Sequence, residues 1–157
     1  MAKLIKYKTR LTRNKRIELV KEVTLNRPDE TFLIGCPDDA ADIARRFLGA
    51  HEHTEEHMYM FCLNTKNRVV GIFEISHGNV NSSIIGSREI FQKALLANAV
   101  QILLIHNHPS GDPTPSKDDI YVTKKLKELG DFIGVPWVDH LVIGDTHVSL
   151  RAEGYFE

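Results

Sequence analysis

The stretch that most constrains this 157-residue chain is Val100-Gln101-Ile102-Leu103-Leu104-Ile105, which runs straight into His106-Asn107-His108-Pro109-Ser110-Gly111-Asp112-Pro113-Thr114-Pro115-Ser116-Lys117-Asp118-Asp119. An apolar run broken by a single glutamine has no polar face to offer to water, so it predicts a strand covered on both sides. Such a strand needs a layer of other elements on each face of its sheet. The Pro- and Gly-rich segment that follows predicts a loop of defined course, the kind of place where a rigid scaffold displays reactive side chains.

The rest of the chain supplies the covering layers. Pro28-Asp29-Glu30 reads as a turn and Thr31–Ile34 as a short apolar stretch, and Cys36-Pro37-Asp38-Asp39 reads as a helix start with carboxylates in the first turn. Ala40, Ile43, Ala44, Phe47 and Leu48 follow at helical spacing, with Arg45 and Arg46 outward and Gly49 as the stop. Met58–Leu63 and Val69–Ile75 read as an antiparallel pair joined by a polar connection. Val80–Ile85 is a candidate third strand, and Ser87 reads as the cap of a helix carrying Ile90, Phe91, Ala94 and Leu95. A helix is expected from Ser116 to Leu129, ending at Gly130, with Ile120, Leu126 and Leu129 facing the core. Trp137–Ile143 and His147–Arg151 flank Gly144-Asp145-Thr146 as a closing hairpin. Helices interspersed among hairpins, without strict βαβ alternation, predict a three-layer α/β or α+β domain on a mixed sheet.

Composition agrees with one globular domain: 42% of residues are hydrophobic and 26% charged. No apolar run approaches the roughly 18 residues of a membrane span. The basic start, Met1-Ala2-Lys3-Leu4-Ile5-Lys6, is not followed by an apolar stretch of signal-peptide length, so the expected location is the cytoplasm. Cys36 and Cys62 lack the pairing of a zinc ribbon or a disulfide framework and are read as buried thiols. Charge is unevenly spread. Residues 1–27 hold nine Lys or Arg against Glu18 and Glu22, a net +7, while the remainder carries −8. Residues 1–29 therefore form a basic arm ahead of a domain at 30–157, and Val20, Val23 and Leu25 interleaved with charge suit strand, irregular arm and helix equally. Such an arm either docks on an acidic body or neutralises nucleic-acid phosphates.

His106 and His108, two residues apart at a strand end, point to the same face, where their ring nitrogens can converge on one divalent ion. Zinc takes imidazole nitrogen and carboxylate oxygen, and a catalytic zinc site has three protein ligands and an open position. Asp118 and Asp119, in the first turn of the next helix, are the candidates for the third ligand. Ser116-Lys117-Asp118-Asp119 also has the form of a capping box, which accounts for Ser116 and Asp119 as helix-start residues. Three prolines and a glycine between the histidines and that box specify a path that an ordinary strand-to-helix connection does not need. His51, His53 and His57 form a second histidine string, read as a solvated helix–strand junction. His140, beside Asp139 on a late strand, reads as a hydrogen-bonded core histidine, with support of a metal ligand as the alternative.

This segment resembles the JAMM metalloprotease motif of MPN (JAB) domains, in which His-x-His is followed by seven residues, a serine, two residues and an aspartate. It is most similar to the bacterial RadC version, with the form H-N-H-P-S-G-D-P-x-P-S. Residues 30–157 follow the order of elements in that family, including Leu63-Asn64-Thr65-Lys66-Asn67, Asn81-Ser82-Ser83 and Asp139-His140, whereas residues 1–27 do not match the helix-hairpin-helix region of longer members. The resemblance implies a three-layer MPN/JAB-type, cytidine-deaminase-like domain with a mixed, curved sheet flanked by helices. It implies His106, His108 and Asp119 as ligands of one zinc ion per chain, Ser116 as the oxyanion donor and an upstream glutamate as the general base. Glu56, directly before the strand start, is the expected base, with Glu55 and Glu74 as alternatives. The implied reaction is hydrolysis of a peptide or isopeptide bond in a protein or peptide substrate. Two competing readings are a DNA repair or recombination factor that binds or cleaves nucleic acid, and a non-catalytic MPN binding module. A zinc deaminase is excluded because P-C-x-x-C is absent.

Overall fold

A computed structural model of the chain describes residues 2–27, 31–78 and 85–157. Its centre is an open seven-stranded mixed sheet in the order β2-β1-β4-β3-β5-β6-β7. The strands are β1 (Ala2–Leu11), β2 (Ile17–Arg27), β3 (His57–Leu63), β4 (Val69–His77), β5 (Gln101–Asn107), β6 (Trp137–Ile143) and β7 (His147–Ser149). The helices are α1 (Pro37–Leu48), α2 (Ser87–Leu96) and α3 (Lys117–Ile133). The β1·β4 and β5·β6 pairs are parallel and the others antiparallel. The α/β class and the mixed sheet therefore stand as expected.

Strand β5 lies between β3 and β6, and Ile102 to Asn107 are all buried. Alternation sends its side chains into two cores. On one face Leu103 and Ile105 join Phe61, Leu63, Ile72, Leu141 and the α1 residues Ala40, Ala41, Ile43 and Ala44. On the other, Ile102 and Leu104 join Met58, Met60, Phe73, Val142, the α2 residues Ile90, Phe91 and Ala94, and Val122 and Leu126 of α3. Three layers result, and the apolar run has no polar side because both faces are occupied.

Several local expectations hold with their physical causes. Cys36 is the N-cap of α1 and Pro37 its first residue, while the Asp39 carboxylate accepts from the Gly35 and Cys36 amides at 2.8 and 3.1 Å. Gly49 ends the helix in the left-handed conformation, φ +61°. Others are corrected. Cys36 is exposed, because a capping position faces out of the first turn; only Cys62 is buried. Gly86, not Ser87, is the N-cap of α2, and Ser87 is the first helical residue. Helix α3 runs past Gly130 to Ile133 and stops at Gly134, φ +83°. Gly130 is a packing glycine, since a Cβ there would lie 2.6 Å from the Val135 carbonyl oxygen. The inward face of α3 is Asp119, Val122, Thr123, Leu126 and Gly130, while Ile120 and Leu129 are half-buried at its margin. Arg45 does not point away: its Nη2 donates to the Thr146 carbonyl at 2.8 Å. The expected turn at 28–30 lies outside the described residues, as does all but Ile85 of the candidate strand Val80–Ile85.

The basic segment is a β-hairpin, β1–β2, added to the sheet edge next to β4 through Lys6↔Ile72 and Tyr7↔Phe73. Lys6 is held between Glu74 at 3.1 Å and Glu22 at 3.3 Å, and Tyr7 packs against Phe73 with ring centroids 5.9 Å apart. Among the described residues no helix is long and apolar enough to cross a membrane.

Candidate metal centre

At the end of β5 the alternation separates two neighbours. His106 points to the α3 face and is fully buried; Asn107 points to the α1 face. The His108 amide still donates to the Ile143 carbonyl at 2.8 Å, so the chain keeps the course of β6 for one more residue before it turns. The loop then packs on the β6–β7 turn. The Asp145 amide donates to the Gly111 carbonyl at 2.7 Å, and a Cβ on Gly144 would sit 2.7 Å from the Gly111 carbonyl carbon and 2.9 Å from the Pro113 nitrogen. The loop ends in the capping box of α3: Ser116 Oγ accepts from the Asp119 amide at 3.0 Å, and Asp119 Oδ2 accepts from the Ser116 amide at 2.7 Å.

These constraints deliver three donors to one point. His106 Nε2 lies 3.0 Å from His108 Nε2 and 3.3 Å from Asp119 Oδ1, and His108 Nε2 lies 3.5 Å from Asp119 Oδ2. Burial alone would raise the pKa of Asp119, but the close His106 and His108 rings win and hold it well below the usual carboxylate range. The Asp119 carboxylate in turn raises the pKa of His108. His108 Nδ1 donates to the Asp112 carbonyl at 2.8 Å, so the neutral ring turns the lone pair of Nε2 toward Asp119 and His106. An imidazole lone pair and a carboxylate facing each other across about 3.5 Å call for positive charge between them, and the donor set is one that zinc accepts.

The other sequence-derived candidates fall in different places. Asp118 is exposed and outside the cluster. Glu56, partly buried, precedes β3 by one residue and shares the alternation of Met58, which pairs with His106; its charge contributes to the raised pKa of His108. The Glu55 carboxylate pairs with His77 Nε2 at 2.6 Å. Glu74 lies on the far face with His57 Nδ1 at 2.9 Å and Lys6 at 3.1 Å. Ser116, at the exposed N-cap, uses an Oγ lone pair for the Asp119 amide and retains its hydroxyl proton.

The reading of the sequence missed Asn107. Its side-chain oxygen accepts from the His57 amide at 2.7 Å and its Nδ2 donates to the Glu55 carbonyl at 2.9 Å, so one buried amide clamps the chain on both sides of Glu56. Its place between two histidines on a buried strand is the signal that was available. Thr123 was missed too: its hydroxyl donates to the Asp119 carbonyl at 2.7 Å and also meets His140 Nδ1. His140 is fully buried, and burial followed by the neighbouring His106 keeps it uncharged, its pKa well below the ordinary histidine value. Asp139 plays a separate part, bracing the β6–β7 corner by accepting from Ser149 Oγ and the Arg151 amide.

A second group of ligand-type atoms, on His57, Glu74 and His77, also comes within 4.8 Å. There the carboxylate is already paired with Lys6, and the His53, His57 and His77 rings stack face to face at 3.9 and 4.0 Å. The His106 cluster opens beside a cleft of about 260 Å³ that His108 and Gly111 share with Arg45, His51 and Asp145. A more apolar cleft of about 310 Å³ lies between the hairpin and α1.

The mixed sheet between helices is consistent with a JAB-type domain, and residues 34–155 match the RadC-like JAB domain family: the chain belongs to it. It is 43% identical over 143 residues to the UPF0758 protein YsxA of Bacillus subtilis, a match covering 88% of this chain and 60% of that one. A UPF0758 protein of Clostridium acetobutylicum is 42% identical over 138 residues, 87% of this chain and 59% of its own. Another from Caldanaerobacter subterraneus is 39% identical over 145 residues, 90% and 60%. The chain spans about three-fifths of the length of the curated relatives it matches.

Proposed function

We propose that this domain is a zinc-dependent hydrolase of JAMM type that cleaves a peptide or isopeptide bond. The observation that carries the reading is the convergence of His106, His108 and Asp119 donor atoms within 4.8 Å beside an open cleft. These three residues would hold the ion, which when bound acidifies water and polarises a carbonyl. Glu56, whose charge acts on His108, would take the proton of the attacking water and return it to the leaving nitrogen. The Ser116 hydroxyl, anchored through its lone pair by the Asp119 amide, keeps its proton to donate to the carbonyl oxygen as negative charge develops. The cleft edged by His108, Gly111, Arg45 and His51 offers polar walls to an extended chain.

The test is metal content by elemental analysis of wild type, His106→Ala and Asp119→Ala, all purified without chelator or metal-affinity tag. About one zinc per chain in wild type, lost in both variants, supports the reading. Peptide and isopeptide substrates then follow, with Glu56→Gln as a variant that keeps zinc and loses turnover. Wild type that takes up no zinc when it is supplied overturns the reading.

A second reading, association with nucleic acid, is favoured by one feature. Arg13, Lys15 and Arg16 are exposed at the tip of the β1–β2 hairpin, beyond the Lys6 contacts that dock it. Its test is DNA binding across a salt series, compared with a variant carrying glutamine at those three positions. Binding that weakens steeply with salt and is lost in the variant supports it.

A further inference from the structure

We infer that His140 and Thr123 form a proton-ordering relay that fixes the tautomer of His106 and so keeps its Nε2 free for a metal ion. The inference rests on the reading of His106, His108 and Asp119 as a metal centre and assigns that centre two positioning residues that touch neither the ion nor the substrate.

The argument is a count of protons along three contacts. The Thr123 hydroxyl has one hydrogen, and Oγ1 lies 2.7 Å from the Asp119 backbone carbonyl, a group that can only accept. The hydrogen is therefore spent there. His140 Nδ1 sits 2.5 Å from the same Oγ1 and must supply the hydrogen of that contact. His140 is buried with no carboxylate on its ring, since Asp139 faces Ser149 and backbone amides instead. A ring in such surroundings stays neutral, and a neutral imidazole protonated at Nδ1 carries a bare Nε2. That Nε2 lies 2.8 Å from His106 Nδ1, which must then donate. With its proton on Nδ1, His106 turns an unprotonated Nε2 toward His108 and Asp119.

The relay closes on itself. It starts at the backbone carbonyl of Asp119, whose carboxylate is one of the three donors, and ends at His106, which is another. Helix α3 thus orders the imidazole on β5 through a residue of β6, one side chain from each element. His108 reaches the same tautomer more simply, through the Asp112 carbonyl.

Thr123→Val tests the relay because it is nearly isosteric and removes only the hydroxyl. Without that acceptor, His140 is free to carry its proton on Nε2. His106 Nδ1 must then accept, and its own proton moves to the Nε2 that faces the metal position. Two measurements are made on the purified chain. Long-range proton–nitrogen spectra of the metal-free, nitrogen-15-labelled protein at neutral pH report which ring nitrogen of each histidine is protonated. Competition with a chromophoric chelator gives the zinc affinity of wild type, Thr123→Val and Thr123→Ser.

The relay is supported if His106 and His140 are both protonated at Nδ1 in metal-free wild type. It further requires Thr123→Val to move the His106 proton to Nε2 and weaken zinc binding about 10- to 100-fold, with Thr123→Ser restoring both. Wild-type His106 protonated at Nε2 overturns it, as do equal zinc affinities for the Val and Ser variants. Should Thr123→Val fail to fold, the wild-type spectrum still decides. Wild type with both Nδ1 protons in place but no affinity for zinc overturns the metal reading and leaves the proton order standing, so the two failures are separable.

Discussion

At the residue scale the centre depends on side chains doing two things at once. Ser116 caps α3 and keeps its hydroxyl proton; on the proposed mechanism, Ser116→Ala is expected to reduce kcat by about 10²- to 10³-fold through the lost donor. It should also cost about 1 kcal/mol of stability through the lost cap. Steady-state kinetics and a denaturant titration separate the two effects, and zinc content should be unchanged. Asn107 points to the face of the sheet opposite His106, yet it holds the backbone on both sides of Glu56. Asn107→Leu fills the space without the clamp. It is expected to retain zinc while turnover falls by about 10²-fold, because a shift near 1 Å in a catalytic group costs that much. Unchanged turnover would mean that Glu56 holds its position without Asn107. The two histidines were readable from their spacing; spacing left Asp118 and Asp119 both open, and the resemblance to the family motif chose Asp119. Asn107 and Thr123 were not readable, because amides and hydroxyls occur everywhere and their partners lie 50 and 17 residues away.

At the element scale the loop between β5 and α3 owes its course to a different hairpin. Gly144, in the β6–β7 turn, touches the Gly111 backbone so closely that any side chain must push the loop away. Gly144→Ala is expected to destabilise the fold by about 1–3 kcal/mol by overpacking and to weaken zinc binding as His108 moves, read by thermal melts with and without zinc. The prolines of the loop announced a fixed path; the surface it is fixed against lay about thirty residues downstream. Helix α3 shows the same limit, since Gly130 looked like a terminator and is a contact with Val135, while the stop is Gly134 in the left-handed conformation. A glycine's letter does not say whether it is there for its φ angle or for its missing Cβ.

At the scale of the whole molecule, the basic hairpin joins the sheet through the β1·β4 pairing, and the Lys6–Glu74 ion pair spans that junction. Burial pushes the Glu74 carboxyl upward, but its bonds to Lys6 and His57 win and its pKa is lowered. A carboxylate whose pKa is lower folded than unfolded stabilises the fold above its unfolded value. That contribution is lost as the pH falls below the ordinary glutamate range, through the lowered folded value. Glu74→Gln is therefore expected to reduce stability at neutral pH and to flatten its decline in acid, measured by urea titrations from pH 7 to pH 3. Zinc acts on the same equilibrium from the other side. Free zinc at 100 times Kd should add about 2.7 kcal/mol, seen as a raised Tm that chelator reverses and His106→Ala abolishes.

What the sequence determined by itself was whatever rests on local periodicity and on a short motif. The doubly covered strand, the helices, the closing hairpin and the His-x-His spacing all depend on neighbours in the chain, where alternation and helical pitch dictate which way a side chain points. The tertiary structure decided the rest. It set the hairpin of residues 2–27 beside β4, tied Glu55 to His77 and Glu74 to Lys6 and His57, and linked Thr123, His140 and His106 into one line of hydrogen bonds. Those choices turn on distances of about 3 Å between groups far apart in sequence, and only the packing of the three layers on the sheet brings such groups within reach of one another.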